Sequence, residues 1–339
     1  MNRHPYLSIA AAALSLVVVV GLASADTVDA AVESAVPYQF DATIVNNSLA
    51  VSPDGRTAVA SDSRMPGVRL YDLESGRLLT TLGGFVTPRN SLFTPDGKTL
   101  LISDSTLGEV VILDTRSWLP LGRIAIGAGA FGTAVDRSGN RLYVNNEAAN
   151  TVTVVDLVSR HTLAVLTGFA QPRQGIKLNP DGTQFFVTNF LGDKISVVDV
   201  AALKTVSEIT GFKGIRALSI TTDGTTLYAA NSADNSIAIV DLHTDKIVAS
   251  VPVGKDPYGA ALSPDERRLY SGDKVDNTLT IIDTATRSAV GKITGFNEPR
   301  QAIVFRPDGT LAYVLNKDLS IAVVDLRTAT IVRRMGTAQ

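Results

Sequence analysis

The sequence predicts an all-β fold, a seven-bladed β-propeller of four-stranded antiparallel blades, and three observations carry that prediction. A Pro-Asp-Gly-like turn recurs at Asp54, Asp96, Ser138, Asp181, Asp223, Asp265 and Asp308, always 42 or 43 residues apart. An Asp that closes an alternating apolar run recurs in phase with it, at Asp72, Asp114, Asp156, Asp199, Asp241, Asp283 and Asp325. Short strand-like runs separated by turns roughly every ten residues fill each period, which leaves no room for the crossover helix of a parallel sheet. A single four-stranded sheet cannot bury both faces, whereas seven packed around an axis bury all but their outer edges and ends. The period also fits a four-stranded blade better than the shorter coil of a β-helix.

One unit shows how the elements follow from the residues. Residues 217–220 form the first run and end at Thr222-Asp223-Gly224, where glycine supplies the positive φ of a tight turn. Residues 226–230 form the second run. The loop 231–236 leads to a third run, 237–240, closed by Asp241, whose carboxylate is placed to accept backbone N–H bonds of the next turn. Residues 246–251 form the fourth.

Composition sets the class of protein. The 339 residues are 45% hydrophobic and 19% charged, enough to build a large core. Lys+Arg of 31 against Asp+Glu of 33 leaves a net charge of -2 without a basic tail or stripe, so no nucleic acid partner is expected. The absence of cysteine excludes disulfides, thiolate metal sites and a cysteine nucleophile.

The chain divides into three parts. Residues 1–25 read as a signal peptide: Arg3 and His4 precede an apolar run over 9–22, and Ala23-Ser24-Ala25 is a small-x-small cleavage site before Asp26. The apolar run rises only about 21 Å as a helix, short of a roughly 30 Å hydrocarbon core, so no membrane span is expected after cleavage. A periplasmic or secreted protein, monomeric, is the expectation. Residues 26–47 form an N-terminal segment in which Tyr38-Gln39-Phe40-Asp41 aligns with the fourth strand of a blade. Residues 48–339 hold all seven units, and 330–335 aligns with a fourth strand too. Both ends are expected to pair onto the last blade, the N-terminal strand helping to close the ring.

The segments Arg141-Leu142-Tyr143-Val144-Asn145-Asn146, Thr226-Leu227-Tyr228-Ala229-Ala230-Asn231 and Phe185-Phe186-Val187-Thr188-Asn189 resemble the YVTN family of β-propeller repeat proteins. The resemblance covers essentially all of the chain after residue 25. It implies an exported or surface-exposed propeller and says little about activity. Blade 1 (Ala58-Val59-Ala60-Ser61-Asp62), blade 2 (Leu101-Ile102-Ser103-Asp104) and blade 7 (Val314-Leu315-Asn316) depart mildly from the pattern.

If the first strand of each blade lines the axis, the turns after strands 1 and 3 share one face and the loops after strands 2 and 4 the other. The residue entering the innermost strand on that second face is Asn47, Arg89, Phe131, Arg173, Arg216, Tyr258 or Arg300. These seven are the candidate ligand-binding residues. Several arginines converging on a funnel can grip carboxylate or phosphate oxygens in pairs, and Phe131 and Tyr258 can stack on a flat ligand. Gly-Phe pairs precede the arginines, at Phe85, Phe169, Phe212 and Phe296, and are missing where Phe131 or Tyr258 takes the slot. That co-variation suggests a guanidinium packed over a ring. The competing reading is structural: the arginines pair with the polar residues that end the second strands (Asp62, Asp104, Asn146, Asn189, Asn231, Asp273 and Asn316) or cap carbonyls between blades.

Catalytic chemistry has less support. His161 and His243 fall in turns on the opposite face, so a histidine base or metal site at the channel is not expected. Glu109, Glu147, Asp193, Asp234 and Asp276 lie in or near the loops between strands 2 and 3 and read as solvated charge rather than calcium ligands. Trp118 reads as a packing residue of a turn. No metal and no cofactor are expected. The function expected is binding or scaffolding, with an anionic small molecule or a protein partner at the arginine-bearing face. The alternative is a hydrolase or lyase of the propeller-lactonase type, with or without the assistance of a metal.

Overall fold

A computed structural model describes residues 43–336 of the chain. The signal segment and the strand expected at 38–41 lie outside these residues. Seven four-stranded antiparallel sheets follow one another, each made of four consecutive strands. They span 47–82, 88–125, 130–166, 172–209, 215–252, 261–294 and 303–335 and are blades 1 to 7. The YVTN-like segments are second strands, such as Arg141–Asn146 and Thr226–Asn231. The last strand, Thr330–Met335, pairs with the third strand of blade 7, as the repeat phase required.

Seven apolar clusters hold the ring, and each lies between two neighbouring blades. Phe85, Val59 and Leu70 meet Leu100, Ile102 and Val111 between blades 1 and 2. Tyr71 and Leu49 of blade 1 meet Tyr313, Ile321 and Met335 of blade 7, so the closing contact is built like the other six. The Tyr71 hydroxyl donates to Leu319 O, and the Arg333 guanidinium donates to Leu73 O at 2.6 Å and Glu74 O at 2.8 Å across the same junction. Burying a large apolar side chain contributes about 1.5–3 kcal/mol. Repeated around the wheel, that burial is what holds blade to blade.

The two repeat markers are structural. In the first, a hydroxyl two residues away donates to the turn Asp: Ser52 to Asp54 at 2.5 Å, Thr94 to Asp96 at 2.7 Å. These bonds hold both carboxyls below their ordinary range. In the second, the carboxylate accepts the next turn's backbone N–H, as from Ser117 to Asp114 at 2.8 Å and from Ser159 to Asp156 at 2.7 Å.

The Gly-Phe phenylalanines do not lie under the arginines. Phe85, Phe169, Phe212 and Phe296 are each buried in an inter-blade cluster. The co-variation is therefore a packing rule for the blade-to-blade loop, because Ile126 and Val253 pack in the clusters that lack a phenylalanine. Trp118 packs partly buried against the cluster between blades 1 and 2, in the turn where it was expected.

Candidate functional site at the channel mouth

The funnel mouth is filled by the chain's own residues 44–46. Asn46 O accepts the Ser63 backbone N–H, Asn46 N–H donates to Ser63 Oγ, and the side chain reaches across the axis, its Nδ2 donating to Arg89 O at 2.6 Å and to Gln174 Oε1 at 2.9 Å. Gln174 in turn donates to Asn90 at 2.6 Å, and Asn90 to Thr133 at 2.7 Å, which makes a polar girdle one layer below the mouth. Around the remaining small cavity, about 50 Å³, stand Phe131, Arg173, Phe190, Arg216, Tyr258 and Gln301. That is room for one or two waters, so a ligand on this face sits across the lip rather than inside the funnel.

The four arginines share a slot and split into two pairs. Arg89 is fully buried: its Nε donates to Ser105 Oγ at 2.8 Å, its Nη1 to Asn46 Oδ1 at 3.0 Å and to Ile44 O, and its guanidinium lies 4.7 Å from the Phe131 ring centre. Arg300 donates to Val45 O at 2.7 Å and stands 3.6 Å from Glu298. These two clamp the 44–46 segment, which corrects the expectation that all four converge on an open funnel. Capping carbonyls is the part of the structural reading that holds for them.

Arg173 and Arg216 stand on the other side of the mouth with Phe190 between them, 3.7 Å and 4.6 Å from its ring centre. Arg216 lies also 4.4 Å from the Tyr258 ring, and Arg300 and Lys274 approach that ring at 5.4 Å and 5.1 Å. Arg173 donates to Gln171 Oε1 at 2.7 Å. Among the described residues, Arg216 Nε is buried with no acceptor, and no carboxylate pairs with its guanidinium. A guanidinium held between two aromatic faces keeps its in-plane N–H edge for another planar acceptor.

The polar residues ending the second strands do not pair with the arginines, which corrects the other half of that reading. Asp104 accepts the backbone N–H groups of Val86 and Thr87 at 2.7 Å and 2.9 Å, Asn189 that of Ala170 at 2.8 Å, and Asn316 that of Asn297 at 2.9 Å. They fasten the loop leading into their own blade, while Asp62 pairs with Arg64 at 2.7 Å. Asn47 is buried and lines the channel below the mouth rather than the lip.

Phe190 is the lip residue that the sequence-level site lacks. It follows Asn189, at a position occupied by Ser63, Ser105, Glu147, Ser232, Lys274 and Lys317 in the other blades. An aromatic residue in a loop slot that is otherwise polar was the available signal. The loop acids are dispersed: Asp193 accepts from Gly214 N at 2.6 Å, Asp234 pairs with Lys213 at 3.1 Å, and Asp276 accepts from Lys255 N at 3.0 Å. His161 and His243 are exposed in their turns. Among the described residues, no three His, Cys, Asp or Glu stand close enough to hold a metal ion, and no helix is long and apolar enough to cross a membrane.

A family model described as a lactonase, 7-bladed β-propeller matches residues 48–298. Among solved structures, the chain is similar to one of Kuenenia stuttgartiensis hydrazine synthase, with a TM-score of 0.74 and 20% identity over 82% of this chain and 94% of that chain. At that identity the likeness speaks for the fold alone. No curated protein matches the chain.

Proposed function

The chain belongs to the lactonase 7-bladed β-propeller family, and within it we propose an exported binding protein that takes a planar anionic small molecule on the lip formed by Arg173, Phe190, Arg216 and Tyr258. The observation that carries this reading is Arg216, whose guanidinium is stacked between Phe190 and Tyr258 and meets no acceptor among the described residues. Removing the clamp pair Arg89 and Arg300 from the candidate set leaves this pair as the binding element. A flat carboxylate or aromatic anion would lie edge-on to the guanidinium groups.

The test uses phthalate as a planar dianion, followed by calorimetry. Wild type is expected to bind it, and Arg173→Ala with Arg216→Ala to weaken binding by roughly a hundredfold or more, from about 1.5–3 kcal/mol for each of two charge-assisted contacts. Equal binding by the double variant sinks the proposal. Export is tested separately, by mass spectrometry of the protein recovered outside the cytoplasm. An N-terminus at Asp26 supports export; an intact Met1 in that fraction opposes cleavage.

A second reading, hydrolysis of a lactone, is favoured by the family match. It calls for a base beside the lip. Two acids beside the mouth are engaged, Asp256 with Lys274 at 2.8 Å and Glu298 with Lys317 at 2.6 Å. Turnover of a sugar lactone above background, abolished by the same double variant, would decide for hydrolysis.

A further inference from the structure

Below the Asn90–Gln174 girdle, the axial channel widens into a cavity of about 390 Å³ that reaches the Pro53 and Pro95 turns on the opposite face. One charged side chain lines it, Lys177. The position is defined by strand register. Lys177 lies opposite Phe186, and the corresponding pairs are Ala50 with Val59, Leu92 with Leu101, Ala134 with Tyr143, Ser219 with Tyr228, Ala261 with Tyr270 and Val304 with Tyr313. Six blades thus fill this layer with a small or apolar residue, and the propeller closes without a charge there. The lysine of blade 4 is not explained by the fold.

Nothing among the described residues answers that charge. Lys177 makes no hydrogen bond and no ion pair among the described residues, although it is solvent-exposed within the channel. The surrounding protein pushes its ammonium below the ordinary lysine range, with no carboxylate to oppose the shift. Among the residues that line the cavity, both polar atoms of the Asn47 carboxamide, in a residue 1% exposed, and the Ser91 hydroxyl are buried with no partner among the described residues. A cation without a counter-charge, exposed in a cavity lined otherwise by uncharged residues, is the complement of an anion.

We propose that this lower channel is a second binding site, separate from the arginine lip, for a small organic monocarboxylate whose charge is met by Lys177. A single ammonium amid Leu92, Ala261, Ile303 and Val304 matches one negative charge on an apolar body. A phosphate group would ask for several donors, as a guanidinium pair or a nest of backbone N–H groups supplies.

The probe is butyrate, with butyramide as its neutral counterpart and chloride as the ionic-strength control. Wild type is expected to melt about 2 °C or more higher in saturating butyrate than in matched chloride, and to show no such gain with butyramide. Lys177→Met should abolish the butyrate increment, and Lys177→Arg should retain part of it. By ligand-observed NMR, the butyrate Kd should rise roughly tenfold or more in Lys177→Met, equivalent to about 1.4 kcal/mol. The Arg173→Ala, Arg216→Ala protein should keep the increment, which separates this site from the lip. An unchanged increment in Lys177→Met, or none in wild type, overturns the proposal.

Discussion

Blades 7, 1 and 2 and blades 4 and 5 carry arginine at the same repeat position around the mouth, or flank it, and put it to opposite uses. In the first arc Arg300 and Arg89 face residues 44–46, and their N–H groups are consumed by the carbonyls of Val45 and Ile44 and by Asn46. In the second arc Arg173 and Arg216 stack on Phe190, and Arg173 donates to Gln171. A repeat position fixes where a side chain starts, while the acceptors within reach decide what it does. Chemistry read from the repeat alone treats the four as one ring; the asymmetry enters through a short piece of chain outside the repeats.

Grading the same substitution around the slot breaks or sharpens that contrast. Arg89→Met should cost the most, about 3 kcal/mol in urea unfolding, because three acceptors, two of them buried, lose their donor at about 1–3 kcal/mol each while removal of a buried charge offsets part. Arg300→Met should cost about 1 kcal/mol: one carbonyl loses its donor, and Glu298 keeps Lys317. Arg216→Met, with no acceptor to strand, should stay within about 0.5 kcal/mol. Equal costs at all three positions would erase the distinction between clamp and lip.

The wheel was legible because its determinants are local and repeated. Alternating apolar residues, turn glycines and the two Asp markers each act within a few residues of themselves, and seven copies make the period unmistakable. The division of the arginines was not legible. It depends on Asn46 meeting Gln174, 128 residues away, and on Val45 meeting Arg300, 255 away. Sequence spacing carries no information about which acceptors such a segment brings. The Gly-Phe pairs mislead for a related reason: a phenylalanine four residues before an arginine is adjacent in sequence, yet the loop turns it down between blades. Lys177 and Phe190 are different again, since each is an odd residue at a repeat position and visible once strand register aligns the blades.

The same test by repeat position gives an effect of opposite sign at the polar slot that ends each second strand. Blades 3, 4, 5 and 7 place asparagine there, and blade 6 places Asp273, fully buried, with hydroxyl donors from Ser271 at 2.8 Å, Thr278 at 2.9 Å and Thr280 at 2.6 Å. Burial raises its carboxyl above the ordinary range against the pull of those three hydroxyls. A folded value above the unfolded one, about 3.9, gives stability that is complete below the unfolded value and is lost as pH rises through the folded value. An asparagine in this slot has no charge to bury, and blade 4 shows an amide satisfied in the equivalent place, Asn189 donating to Ser196 at 3.0 Å. Asp273→Asn should therefore match the parent at acid pH and exceed it by up to about 1 kcal/mol at neutral pH, the margin widening between roughly pH 4 and 7 in urea titrations. A margin that narrows with rising pH would mean that the hydroxyl donors outweigh desolvation at Asp273, and that this slot, unlike the arginine slot, is the same in every blade but its charge.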